Sequence, residues 1–145
     1  MYLALDQIVK YASIKNINIS IETEGSLKKK DHLLMQQPEE YIELFQCYSV
    51  NDLGINLNIG HLLLASNAFN FKISDFIDLV EKHIVSFELS HNNGIEDQHL
   101  PLVENEWYWE YILDAKFANV FKILEFRNQS IKNLKESMDL FNRNH

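Results

Sequence analysis

Four short apolar runs, each closing on a side chain that can donate a hard oxygen, recur along this chain at nearly even intervals. The runs are Ile17–Glu22, Gly54–His61, Ile84–His91 and Val120–Glu125. The oxygen-bearing residues are Glu22, Asn58, Glu88 and Glu125, separated by 36, 30 and 37 residues. That interval is about one strand plus one crossover helix. If such units lie side by side and parallel, the four side chains gather at the carboxyl ends of the strands, where α/β folds place their chemistry.

The segments between the runs fit that scheme. Leu3, Leu5, Ile8, Val9 and Ala12 have helical spacing over residues 2–14. Pro38, with Glu39 and Glu40 behind it, predicts a helix running to about Tyr48. Asn51–Gly54 reads as a turn, and a loop after the second strand leads to a helix capped by Ser74. The loop His91–Pro101 precedes a helix around Glu104–Ala115, and a last helix covers Ser130–Phe141. The expected fold is α/β: a helix followed by four parallel βα units, α(βα)4, in a single domain spanning residues 1–145.

Strand parity adds a distinction between the two faces. Ile19, Ile21, Ile55, Leu57, Val85, Phe87 and Leu89 are expected on one side of the sheet. Ser20, Glu22, Asn56, Asn58, Ser86 and Glu88 are expected on the other. A doubly wound sheet should be apolar on both faces. A greasy face under helices and a polar interior instead suggest part of a barrel, although Phe121 and Ile123 share the face of Glu125.

Composition excludes some functions. A formal charge of −8 disfavours binding to nucleic acid or an anionic membrane surface. No apolar run approaches the roughly 18 residues of a membrane span. The amino-terminal segment lacks the features of a signal peptide. A lone cysteine, Cys47, fits a reducing, cytoplasmic setting and reads as a buried, inert thiol.

Three carboxylates and an amide are hard donors suited to magnesium, manganese or cobalt. A divalent metal so held polarises a substrate carbonyl or hydroxyl, and a carboxylate pair such as Glu22 and Glu125 exchanges protons with carbon. His61 lies just beyond the second strand, placed for a substrate oxygen, and Asp97 with His99 offers a second carboxylate–imidazole pair.

Certain segments carry a family resemblance. They are Asn58-Ile59-Gly60-His61, the loop from Ser90-His91-Asn92-Asn93-Gly94 through Asp97-Gln98-His99-Leu100-Pro101, Trp107-Tyr108-Trp109, and Ile123-Leu124-Glu125. Together they resemble the C-terminal half of xylose-isomerase-like TIM barrels, a superfamily of sugar-phosphate isomerases and epimerases that also contains endonuclease IV. The resemblance runs from about Leu3 to Phe141 and covers four of the family's eight βα units.

It implies metal ligands at Glu22, Asn58, Glu88 and Glu125, where the family usually has Glu, Asp, His and Glu. Asn58 and Glu88 therefore depart from the pattern, as does His91, which replaces an Asp. The resemblance further implies that Glu22 and Glu125 are the catalytic acid–base pair and that His61 contacts the sugar; His91, Asp97 and His99 are the other candidates for binding a sugar or sugar phosphate. In endonuclease IV the Asp–x–His pair serves an extra zinc ion. The expected function is metal-dependent proton transfer next to a carbonyl. The alternatives are a non-catalytic half-barrel binding carbohydrate or a partner chain, and an endonuclease-like phosphodiesterase.

The remaining conspicuous residues have structural readings. Trp107, Tyr108 and Trp109 should pack on the sheet, Lys28–Lys30 belong to a solvated loop, and His83 is structural. Met1 falls where a helix would join two halves of a barrel, and 145 residues are well short of the roughly 250 of a full barrel. Four parallel strands leave two open edges, so a homo-oligomer, or a chain supplying the other half-barrel, is expected.

Overall fold

The computed structural model of the protein describes residues 2–28 and 33–144. Met1, and Lys29 and Lys30 of the basic triplet, lie outside the described residues, and Lys28 is exposed. Four parallel strands form one sheet in the order β1-β2-β3-β4: β1 Ser20–Glu22, β2 Gly54–Asn58, β3 Ile84–Leu89 and β4 Phe121–Leu124. Helices α1 (Tyr2–Lys15), α2 (Pro38–Cys47), α3 (Ile59–Phe69), α4 (Ile73–Val80), α5 (Trp109–Ile112) and α6 (Ile131–Asn144) complete the α/β half-barrel.

The core lies between one face of the sheet and the helices. Ile55, Leu57, Phe87 and Leu89 are fully buried there, packed with Tyr41 and Leu44 of α2, Phe76 and Val80 of α4, and Phe117. Each such side chain contributes about 1.5–3 kcal/mol by leaving water. The start of α2 is fixed locally. The Glu40 carboxylate accepts from the backbone N–H groups of Met35, Gln36 and Gln37 at 3.0, 2.7 and 2.8 Å, while Pro38 needs no partner for a missing N–H. Tyr108 and Trp109 are buried, and both bond the Val103 carbonyl, so the aromatic trio packs as expected.

Several expectations need correction. The segment after β2 is not a loop: helix α3 begins at once, with Asn58 both the last strand residue and the helix N-cap. Buried residues occupy much of the circumference of this helix, so its sequence lacks amphipathic period. Ser74 does not cap α4; Lys72 is the N-cap residue, and Ser74 bonds Asp75 instead. The helix expected over 104–115 shrinks to the single turn α5 and a 3₁₀ turn, Ala115–Phe117.

Parity fails at Val85. The register shifts between Ile55 and Asn56, so that Ile84 takes the core position and Val85 turns out against Gly54. In α1, Ala12 is buried with Leu5 and Val9 packed on the core, whereas Leu3 and Ile8 point outward. Cys47 is exposed at the end of α2 rather than buried.

The inner face divides along the strands. At the carboxyl end it is hydrogen-bonded and polar. Towards the amino end, Val85, Phe121 and Ile123 stay exposed and line a groove of about 880 Å³. Edges β1 and β4 have no strand partner beyond β2 and β3 among the described residues.

Candidate functional site

The strand tips converge. Glu22 ends β1, Asn58 ends β2, Glu88 is next to last in β3, and Glu125 directly follows β4. Asn58 is fully buried at their centre. Its Nδ2 group donates to Glu22 Oε1 at 3.0 Å and lies 3.3 Å from Glu88 Oε2 and 3.4 Å from Glu125 Oε2. Its Oδ1 accepts from the His61 backbone N–H at 3.1 Å, capping α3. Asn56 Nδ2 also donates to Glu88 Oε2 at 3.1 Å, and Asn56 Oδ1 accepts from the Ser86 hydroxyl at 2.7 Å.

Burial pushes the Glu88 carboxyl up to about 7, reinforced by the neighbouring charges of Glu22 and Glu125. Near neutrality Glu88 therefore retains a share of its proton.

A second cluster lies beside the first. His61 Nδ1 is 2.9 Å from the Thr23 carbonyl and 3.3 Å from Glu22 Oε1. A carbonyl oxygen only accepts, so the Thr23 contact assigns the proton of a neutral His61 to Nδ1. That leaves the lone pair of Nε2 facing Asp97 Oδ1, another acceptor, at 3.4 Å. Buried His99 continues the chain: its Nε2 is 2.8 Å from Asp97 Oδ1 and its Nδ1 is 2.8 Å from Glu125 Oε2.

These distances are short, yet neither His99 nitrogen has an aligned hydrogen-bond partner among the described residues. His61, Asp97 and His99 each offer a ligand atom, all within 4.8 Å of one another. Two acceptors, His61 Nε2 and Asp97 Oδ1, facing each other without a hydrogen between them fit a shared cation. A proton on Nδ1 directed to a carbonyl is also the usual support for an imidazole that ligates through Nε2. By donor chemistry, this trio fits a divalent metal.

The local backbone explains how these residues meet. Thr23 Oγ1 accepts from the Asn58 backbone N–H at 2.9 Å, and its hydroxyl donates to the Asn58 carbonyl at 3.3 Å, stitching β1 to β2. Gly25 passes over the His61 carbonyl so closely that a Cβ there would sit 1.9 Å from the oxygen. The loop after β3 is pinned by paired backbone hydrogen bonds between His91 and Leu100. Asn92 tightens it further, donating to the Gly60 carbonyl and accepting from the Gly94 N–H. Asp97 is also held by Arg127 Nη2 at 3.3 Å.

Of the predicted site residues, Glu22, Asn58, Glu88, Glu125, His61, Asp97 and His99 therefore share one mouth. His91 does not join them; it faces Tyr108 and lies 4.0 Å from Glu106 Oε1. Thr23 and Arg127 were missed, since each lies just past a strand in a segment without hydrophobic pattern.

No protein-family model matches this chain. Its sequence is 32% identical over 126 residues to the uncharacterized protein MJ1614 of Methanocaldococcus jannaschii, covering 85% of this chain and 44% of that protein. It is 24% identical over 143 residues to MJ1311 of the same organism, covering 96% and 46%. The structure matches a D-tagatose 3-epimerase-like protein with a TM-score of 0.75 and 25% identity, over 97% of this chain and 51% of the other. The TTHB071 protein from Thermus thermophilus, a crystal soaked with ZnCl2, matches with a TM-score of 0.65 and 16% identity over the same shares.

The chain thus spans about half the length of the relatives it matches. The fold is half of an epimerase-like TIM barrel, which supports the resemblance to xylose-isomerase-like proteins. No helix among the described residues is long and apolar enough to cross a membrane.

Proposed function

We propose that this chain is a half-barrel of the sugar isomerase and epimerase kind, corresponding to the C-terminal four βα units, which moves a proton at a carbon next to a carbonyl. The observation that carries the reading is convergence. Glu22 and Glu125 come from the two opposite edge strands, yet both reach the amide of Asn58, at 3.0 and 3.4 Å.

In this role one carboxylate removes the C–H proton and its counterpart delivers a proton from across the site. The proton retained around Glu88 lies beside both members of the pair. His61, Asp97 and His99 would hold a divalent metal, manganese or cobalt in preference to magnesium because two of its ligands are imidazoles. Once bound, it supplies polarisation of a substrate carbonyl or hydroxyl. Glu125 contacts His99 Nδ1 and thereby orients an imidazole of that trio while serving the proton chemistry. The substrate class is a free sugar or a sugar phosphate.

The missing half of the mouth comes from another segment of four βα units, and we place a second copy of this chain there. The unpaired β1 and β4 edges and the exposed Phe121 and Ile123 favour closure. Sedimentation at micromolar concentration should show a dimer; a monodisperse monomer would remove this part of the proposal.

The chemical reading is tested by incubating the manganese-loaded protein in D₂O with a panel of ketoses and ketose phosphates, followed by NMR. Deuterium should enter one carbon-bound position, and Glu22→Gln and Glu125→Gln should each slow that exchange about 10²–10⁴-fold. A panel without exchange, for a protein shown to be folded and metal-loaded, would overturn the proton-transfer reading and leave the carbohydrate- or partner-binding and the phosphodiesterase alternatives.

A further inference from the structure

We infer that the amide of Asn58 stands in the place of a cation within the Glu22–Glu88–Glu125 cage, so that this cage takes no metal and any ion is confined to His61, Asp97 and His99. The decisive atom is the oxygen of the Asn58 amide. An Asn side chain has one acceptor end and one donor end. At Asn58 the acceptor end is committed, because Oδ1 takes the His61 backbone N–H at 3.1 Å and closes the first turn of α3. A backbone N–H only donates, so exchanging the two ends of the amide would set donor against donor at that cap. The Nδ2 group is thereby forced inward.

There it spreads its two hydrogens among three carboxylates at 3.0, 3.3 and 3.4 Å. For Asn58 to ligate an ion in the cage, the amide must turn over. That would strand the His61 N–H and present Nδ2 to it, in a residue with no exposed surface through which water could compensate. Removing one partner of a buried hydrogen bond carries the desolvation cost of the group left behind. An aspartate would face no such conflict, since it is an acceptor at both ends: one oxygen would cap the helix while the other met the ion.

A second constraint acts from the neighbouring strand position. Asn56 Nδ2 also donates to Glu88 Oε2, at 3.1 Å, and is itself oriented by Ser86. The oxygen of Glu88 that faces the cage therefore accepts from two fixed amides. The centre of the cage is occupied by a neutral donor that reaches all three carboxylates. The adjoining trio instead sets His61 Nε2 against Asp97 Oδ1, acceptor against acceptor, and leaves both His99 ring nitrogens without an aligned hydrogen bond among the described residues. One substitution at the centre divides the mouth into a cation-free carboxylate half and a metal half.

The test is an Mn²⁺ titration followed by electron paramagnetic resonance on the full chain, with three proteins: wild type, H61A/H99A, and H61A/H99A carrying N58D. H61A/H99A should bind no Mn²⁺. Adding Asn58→Asp should restore one bound ion, which Glu22→Gln or Glu125→Gln then removes. Retention of an ion by H61A/H99A that disappears with Glu125→Gln would overturn the inference, as would a folded N58D protein without a cage ion.

Four crowded carboxylates can keep the N58D protein from folding without metal, so wild type supplies an independent measurement. On adding diamagnetic Zn²⁺, the Asn58 side-chain NH₂ resonances should persist and remain protected from solvent exchange. Their loss, with the His61 backbone N–H becoming exchangeable, would show that the amide has turned to the ion. If wild type binds no metal at His61, Asp97 and His99 either, the metal assignment of the proposed function fails, while the exclusion of metal from the carboxylate cage by the Asn58 amide stands.

Discussion

The two halves of the mouth use nearly the same kinds of atoms and solve opposite problems. Around Asn58, three carboxylates are brought together and a buried amide supplies the hydrogens that hold them. Around Asp97, two imidazoles and a carboxylate approach as closely, and neither ring nitrogen of His99 has an aligned hydrogen bond among the described residues. Proximity of acidic and basic ligands therefore does not by itself define a metal site. What counts is whether donors already occupy the space. Glu125 joins the halves, touching both the Asn58 amide and His99 Nδ1.

The contrast is most sharply tested through the proton-transfer pair. Glu22→Gln or Glu125→Gln keeps the shape of each side chain but removes its basicity. Deuterium exchange into substrate should fall about 10²–10⁴-fold, the usual range for general acid–base catalysis. A loss below about tenfold for both variants, well under that range, would mean that the carboxylate half is structural.

The metal half is broken by His99→Ala. Losing a direct ligand should weaken cobalt or manganese binding at that trio at least as much as the roughly 10–100-fold typical of losing an outer-shell partner. Isothermal titration reads this directly. Asp97→Asn should act in the same direction, and Arg127→Ala more weakly, because Arg127 only steadies Asp97.

Asn58→Ala addresses the centre of the other half by stability. It removes the helix cap, leaves the partly buried His61 N–H unpaired and takes from the three facing carboxylates the amide they share, with only Glu88 still served by Asn56. A loss of about 1–3 kcal/mol in urea unfolding is expected. His99→Ala, measured without metal, should cost less, since the contacts it removes are not aligned hydrogen bonds.

The weakest signal lies in pH dependence. Glu88 has a folded pKa of about 7 against an ordinary value of 4.5, so between those values the native state binds more protons than the unfolded chain. This group's contribution to stability is therefore greatest below about 4.5, declines as pH rises towards 7, and is constant above. Glu88→Gln should flatten that decline in thermal melts taken from about pH 4.5 to about pH 7.5. An unchanged slope would place the shared proton elsewhere.

Much of this arrangement was legible in the sequence because strand parity is a local rule. Ser20 and Glu22, Asn56 and Asn58, and Ser86 and Glu88 alternate with apolar neighbours, and spacing brought the tips to one mouth. The rule broke where tertiary structure overrides it. Val85 lies at a register shift that no alternation announces. Helix α3 was hidden because it is apolar around much of its circumference, as a helix packed between strands and another helix must be.

The commitment of the Asn58 oxygen to the His61 N–H was invisible for the same reason. Without a helix starting at residue 59 there was no cap to satisfy. Thr23 and Arg127 sit in loops, where residue type alone does not reveal that one sews β1 to β2 and the other anchors Asp97. Cys47 misled because its residue type favours burial, whereas its place at the end of α2 leaves it exposed.

A mouth divided between an amide-filled cage and a metal trio stands or falls on a crystal of the wild-type protein soaked in cobalt chloride. An anomalous difference map at the cobalt edge should show density between His61, Asp97 and His99, and none among Glu22, Glu88 and Glu125. A peak inside the three-glutamate cage, with the Asn58 oxygen turned towards it and the histidine trio empty, would refute that division.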